Sequence, residues 1–304
     1  MSVNSSNSSL LPHPLPSSLK LYYVIDKCLN STVGSFNNTA FTITSILFLL
    51  PLYILILYLG HQRWRQQRSG TAMSHSDLFT YNMVVIELMN ILGFILCCCA
   101  VFTDLPKMMI PGVFLLSVNL LGQMYFHILT CVERYLAVVH PVTYLGLRKA
   151  SGIRIRNITI GCVWLLCFAG TGLLAIEENM SLSIIYFCLK ALSLILVSFC
   201  SLSVLFVLIR PGPGEGGGSR QQVHQSKLRA FYTIMAILGV LLLRFGGNIL
   251  TTALYTSPHL GEVERCGIWL CNVWICLPSS LVLPLLFLHR AGKLPCCKNN
   301  TESG

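Results

Sequence analysis

The residues able to do chemistry are few, and they stand where charge is costly. Glu87, Glu133, Arg134, Lys190 and Arg244 lie within or at the ends of long apolar segments. In lipid such groups are expensive unless they pair, face a polar interior or serve a function. Asn119, Gln123, His127, Thr130 and Arg134 follow one another at spacings of 4, 4, 3 and 4. That spacing places all five on one helix face. Shorter stripes of the same kind are Tyr186, Lys190 and Ser193; Arg244, Asn248 and Thr251 or Thr252; and Asn272, Cys276 and Ser279 or Ser280. Several helices with one polar face each imply a shared polar interior, which a simple anchor does not need. The chemistry on offer is charge pairing, ion coordination and ligand recognition. No nucleophile–base set, metal-spaced His/Cys group or phosphate-cradling glycine loop is present in the sequence. The reading is therefore not an enzyme, with no metal and no cofactor.

The elements that must position these residues follow from composition. Of 304 residues, 54% are hydrophobic and only 11% charged, against roughly 25% charged in soluble domains. The apolar residues fall into blocks, and a block of about 20 crosses a bilayer. Seven blocks fit the length, with about half the chain left for tails and loops. The expected spans are approximately 40–60, 78–101, 111–139, 157–176, 182–209, 228–255 and 267–288. The expected fold class is an all-α membrane protein, a seven-transmembrane helix bundle with its N-terminus outside and its C-terminus cytoplasmic. Residues 1–39 would form an extracellular glycosylated tail, 40–290 the membrane domain and 291–304 a short cytoplasmic tail. The Gly-rich stretch 211–219 reads as a flexible linker between spans. The first 39 residues show no basic start and no long apolar run, so the first span would act as an uncleaved anchor.

Orientation rests on Lys and Arg. With the first tail outside, only Lys20, Lys27, Lys107 and Arg265 face outward, and Lys190 and Arg244 lie within spans; the other 15 of the 21 face the cytoplasm. The net charge of +10 is then a topology signal, and nucleic acid is not an expected partner. Asn4, Asn7, Asn30 and Asn37 in the tail, and Asn179 after the fourth span, each begin an N-x-[ST] triplet and are glycosylation candidates. Of 14 cysteines, most lie inside spans as small packing residues. Cys28 and Cys266 fall on the outer side, where disulfides persist, and are expected to pair. Cys296 and Cys297, beside Lys293 and Lys298, suit palmitoylation or stay unmodified.

The third span closes on Cys131-Val132-Glu133-Arg134-Tyr135-Leu136-Ala137-Val138-Val139-His140-Pro141. An isolated Glu-Arg there would read as a snorkelling anchor. The whole stretch resembles the end of the third helix in rhodopsin-like (class A) G-protein-coupled receptors, which carry Asp/Glu-Arg-Tyr, an apolar run and His-Pro. The resemblance covers roughly residues 40–290. Asn82 and Glu87 stand where the family's second helix has an Asn five residues before an acid. Trp164 matches the tryptophan of the fourth helix, and Pro284 lies where the seventh has Asn/Asp-Pro-x-x-Tyr. There are departures. The acid is Glu87, not Asp. The expected first span has no asparagine, and the fifth no proline. Phe245 and Gly247 replace the aromatic–proline pair of the sixth helix, and Leu283 and Phe287 replace the Asn/Asp and Tyr of the seventh. The usual cysteine near Met109 and its partner in the following outer loop are both missing, which gives Cys28–Cys266 more weight.

The resemblance implies a mechanism. An extracellular ligand binds among the outer helix halves, and a heterotrimeric G protein docks at the inner ends. Glu133, Arg134 and Tyr135 would form the switch, with Arg134 paired to Glu133 at rest; Pro284 and Phe287 would form a second switch. Glu87, with Asn119, Gln123, His127, Arg244, Ser279 and Ser280, would form an internal polar site. The family often holds sodium there. Here Arg244 or His127 is expected to serve as a built-in cation, the alternative being a protonated Glu87. Candidates for the ligand pocket are Leu116, Tyr186, Lys190, Asn248, Thr252, Tyr255 and Asn272. Leu116 stands where amine receptors carry an aspartate, which argues against an amine ligand. Lys190 and Arg244 could attract an anion or a lipid head group, the alternative for Lys190 being to snorkel outward. Two other classes remain open: a receptor-like binding protein that does not signal, and a transporter, against which no inverted repeat is visible.

Overall fold

Residues 27–66, 75–147, 149–176, 180–209, 220–255, 257 and 259–290 are described by a computed structural model. Of the sequence candidates, Asn4, Asn7, Asn179, Cys296 and Cys297 lie outside the described residues, as do the side chains of Tyr255 and Phe287. The described residues contain helices and no strand. In lipid only helices and closed barrels satisfy their own backbone groups, and seven helices here are long and apolar enough to cross a membrane. The chain is a multi-pass membrane protein.

The first span is built from α1 (Thr32–Thr44), a π-helical turn at Ser45–Leu49 and α2 (Leu50–Gln66). Ser31 caps α1, its Oγ accepting from the Gly34 N–H at 3.1 Å, which satisfies one open donor of the first turn. The widened turn stops just before Pro51. In a regular helix the Pro51 ring would press on the carbonyl four residues back, and that carbonyl, of Leu47, lies within the π turn. Then follow α3 (His75–Thr103), α4 (Pro106–Val139), the short α5 (Pro141–Leu147), α6 (Ala150–Ile176), α7 (Met180–Ile209), α8 (Arg220–Tyr255) and α9 (Glu262–Arg290). Pro141 ends α4 and starts α5. It holds His140 out of helical geometry and fits a first helical position, where no N–H is needed.

Helix α4 is the hub and packs against α3, α5, α6 and α7. Helices α7 and α8 pair, α8 pairs with α9, and α9 returns to α1, α2 and α3. The core at the hub is made of Ile86, Val118, Phe126, Cys167 and Val197, each fully buried. Large apolar residues such as Phe48, Leu165, Ile195, Phe199 and Leu243 are exposed. A soluble protein rarely shows so many; on this chain they are the lipid-facing surface. Trp164 ties α6 to α3, its indole N–H donating to Asn82 Oδ1 at 2.9 Å.

The first helix differs most from the sequence reading. It begins at Thr32, not near Ala40, so residues 32–39, assigned to a tail, belong to the first helix. The reason is partnering. Asn38 is buried, and its Nδ2 donates to Cys98 Sγ at 3.0 Å. Thr42 Oγ1 lies 3.3 Å from the same sulfur. Asn37 Oδ1 accepts from the Trp274 indole at 2.6 Å. Polar residues that resembled a solvated tail bond to α3 and α9, with Asn38 Oδ1 left without a hydrogen bond. The first span therefore does contain asparagines, and Asn37, a glycosylation candidate in the sequence, has its side-chain oxygen engaged by Trp274. Asn30 is exposed, one residue before the Ser31 cap.

Candidate functional site

Cys28 and Cys266 form a disulfide with their Cα atoms 5.4 Å apart. It joins the residues just before α1 to the first turns of α9 and marks one end of the bundle, the disulfide end. Arg134 marks the other.

Glu87, buried on α3, lies midway between them. Its Oε1 accepts from Gln123 Nε2 on α4 at 2.6 Å and from the Ser280 hydroxyl on α9. Its Oε2 accepts from Asn90 Nδ2 at 3.4 Å. The Tyr53 hydroxyl of α2 donates to the Ser280 carbonyl at 3.2 Å. Arg244 on α8 is buried and donates through NH1 to the Ser279 hydroxyl. The guanidinium is within electrostatic reach of Glu87, and the bonded route between them runs through two consecutive serines. A carboxylate with three donors and a nearby cation has the partners that burial demands.

Of the two cations expected beside Glu87, the structure brings Arg244 and not His127. His127 is 1% exposed, and its Nε2 has no hydrogen-bond partner. The ring packs edge-on to Phe245 at 6.3 Å. It stands within reach of the charges of both Arg244 and Arg134. A third cation between those two would be repelled by both, so His127 is poorly placed to serve as the counter-ion of Glu87.

The expected ligand-pocket residues divide. Lys190 donates to Thr252 Oγ1 at 2.8 Å and lies 4.4 Å above the Tyr186 ring. Thr252 donates to the Asn248 carbonyl at 2.6 Å. Asn248 donates to the Arg244 carbonyl at 2.8 Å and accepts from Asn272 Nδ2 at 3.2 Å. Lys190, Thr252 and Asn248 thus form a hydrogen-bonded wall between α7, α8 and α9, with the Tyr186 ring beneath the Lys190 ammonium. Leu116 and Asn272 instead line a cavity of about 60 Å³, together with Glu87, Asn90, Asn119, Arg244, Cys276 and Ser280. Its apolar walls include Phe41, Phe94 and Trp269, and Lys190 does not line it. Below Glu87 a smaller cavity of about 10 Å³ is lined by Tyr53, Thr80, Gln123, Ser279 and Pro284 among others. A single water needs about 10–15 Å³, so only the larger one has room for more than that.

At the other end Arg134 lines a crevice of about 20 Å³ with His127, Thr130, Cys131, Cys200, Ser201 and Ile237. Glu133 is buried, its Oε1 accepting from the Tyr144 hydroxyl of α5 at 3.3 Å. Arg156 on α6 lies within electrostatic reach of the same carboxylate. Tyr135 packs on Phe199 and has its hydroxyl 3.3 Å from His140 Nε2. Glu133 is therefore engaged by α5 and α6, elements the sequence reading did not enlist.

Sequence reasoning missed Tyr53, Asn90 and the cavity walls Phe41, Phe94 and Trp269. Asn90 had a usable signal, three residues after Glu87 on one helix face. Tyr53 reads as an ordinary apolar position and had none.

Neither protein-family models nor curated proteins show a match to this chain.

Proposed function

We propose that the chain is a seven-helix receptor of the rhodopsin-like kind. In this reading it sits in the plasma membrane with its N-terminus outside. It responds to an extracellular non-amine ligand and passes the signal to a heterotrimeric G protein at the Arg134 end. Its role is transmission and not catalysis. One observation carries the reading: Arg134, in the stretch that resembles the family's switch, lines a crevice between α4, α7 and α8. A partner segment inserted there would have to part α8 from α4, and that movement is coupled to the opposite end through Arg244 and Asn248 on the same helix. The positive-inside pattern supports a cytoplasmic position for that crevice.

The test is a cell assay across the G-protein classes with surface expression measured in parallel. Basal or ligand-induced activation that Arg134→Ala abolishes at unchanged surface level supports the receptor. A second reading, a receptor-like binding protein that does not couple, draws on Leu283 and on the engagement of Glu133 by Tyr144. Silence with every G protein, despite expression and ligand binding, would favour it.

A further inference from the structure

Cys28 and Leu29 sit on a single helical turn, residues 27–30, that precedes α1. Three contacts hold this turn against the bundle. The disulfide ties Cys28 to Cys266 on α9. The Cys28 carbonyl accepts from the Ser31 hydroxyl at 2.6 Å and from the Ser31 N–H at 3.2 Å. The third contact is with the backbone of Gly34. A Cβ there would lie 1.9 Å from the Cys28 carbonyl oxygen, so only glycine lets the turn rest this closely on α1.

These contacts position one apolar side chain. Leu29 is 0% exposed, in a cluster with Cys97 and Ala100 of α3 and Met109 of α4. Leu116 and Trp269 pack against the same cluster, and both also line the 60 Å³ cavity. Trp269 stands three residues after Cys266 on α9, whereas Ser280, at the polar end of the cavity, stands fourteen after it. The Leu29 cluster is therefore the cavity's neighbour on the disulfide side, and Glu87 lies at the far side. Lys27 and Asn30 on the same turn are exposed. A turn that is wet on one face and seats one leucine with the other can open locally while the rest of the bundle stays folded.

We propose that residues 27–31 are a plug locked by the Cys28–Cys266 disulfide. Leu29 shuts the cavity toward the disulfide end, and opening the disulfide lets the turn lift and the cavity communicate with water on that side. The opening step is thiol–disulfide exchange with a dithiol. The dithiol gives two electrons and two protons, the Cys28–Cys266 bond breaks into two thiols, and the reductant closes into its own disulfide. The proposal deepens the receptor reading by naming what guards its cavity, and it rests on that reading for any effect on signalling. The opening itself is read without signalling.

The test is hydroxyl-radical footprinting of the full-length protein in lipid nanodiscs, read residue by residue by mass spectrometry. Met109 reports the seat of Leu29, and Cys276 reports the cavity it lines. Met83 and Met124, buried in the hub, are controls. Losing a disulfide lowers the weight of the closed state by a factor of ten or more. Treatment with dithiothreitol, removed before labelling, should therefore raise oxidation of Met109 and Cys276 about tenfold and leave Met83 and Met124 unchanged. The pair Cys28→Ser with Cys266→Ser should do the same without reductant. Leu29→Ala should raise both reporters with the disulfide closed, because the stopper itself is gone, and Leu29→Met should match wild type. A rise at Met109 without one at Cys276 would make Leu29 a packing residue that guards nothing, and overturns the proposal. So does no rise at either on opening the disulfide, or an equal rise at all four positions. Selective opening in a protein silent with every G protein would remove the receptor reading and leave the plug standing. A signalling protein whose Cys276 is indifferent to Leu29 and to the disulfide does the reverse.

Discussion

Replacing Arg244 by methionine isolates the pairing at the centre of the bundle. Methionine keeps an unbranched apolar stem and removes the guanidinium. Glu87 then retains Gln123, Ser280 and Asn90 as donors but loses the cation within its reach. Removing one member of a buried pair costs about 3–5 kcal/mol. The three remaining donors hold the carboxylate, so the expected loss is at the lower end, about 3 kcal/mol. Glu87→Gln alone strands Arg244 on Ser279 and should cost a similar amount. The double variant removes both charges and should be less damaged than the sum of the singles, with a coupling of about 1–3 kcal/mol. The assay is unfolding of the purified protein in lipid nanodiscs at neutral pH, with each variant measured in sodium chloride and in choline chloride. Wild type should be indifferent to the cation, because Arg244 already supplies the charge, and Arg244→Met should gain stability from sodium. Additive singles, to within about 0.5 kcal/mol, would refute the pairing. So would a strong stabilisation of wild type by sodium.

Other expected outcomes follow from single contacts. Cys28→Ser should cost about 2–5 kcal/mol, and peptide mapping of wild type should find Cys28 closed to alkylation until reduction. Asn37→Ala leaves the Trp274 N–H without its acceptor and should cost about 1–3 kcal/mol, with no change in glycan mass on electrophoresis. Lys190→Met removes a buried ammonium held by one hydroxyl and one ring, while Thr252 keeps its bond to the Asn248 carbonyl. Its unfolding midpoint should match or exceed wild type, since uncharged replacements of buried ions are often neutral or stabilising. Tyr144→Phe removes the hydroxyl that donates to Glu133 and should cost about 1 kcal/mol of stability in the same unfolding assay; a loss near zero would mean that Glu133 is held by other groups.

Much of the architecture was legible because lipid imposes a simple rule. Each crossing needs about 20 apolar residues, so hydropathy alone yields seven spans, and the structure has seven helices of that length and composition. The same rule fails where a helix is polar and locally satisfied. Asn37 and Asn38 read as tail because their partners, Trp274 and Cys98, are remote in sequence. The polar stripe of α4 was legible from its spacing, since helical periodicity is local. Gln123 and Asn119 do share a face, yet one is bound to Glu87 and the other lines the cavity with its Oδ1 unbonded. Their difference depends on what α3 and α9 place opposite them.

The sequence by itself determined the embedded segments apart from the start of the first helix, which faces are polar and which few charges must find company in lipid. These follow from transfer free energies and from the 3.6-residue period, both properties of the chain. Only the tertiary structure decided the company. Arg244 and not His127 stands near Glu87, because α8 is seated with Arg244 against Ser279 while His127 turns toward Phe245 and the Arg134 end. Lys190 is held in a wall and Asn119 is left lining a cavity for the same reason. Pairing inside a bundle is set by the rotation and depth of neighbouring helices, and those come from packing across the whole molecule.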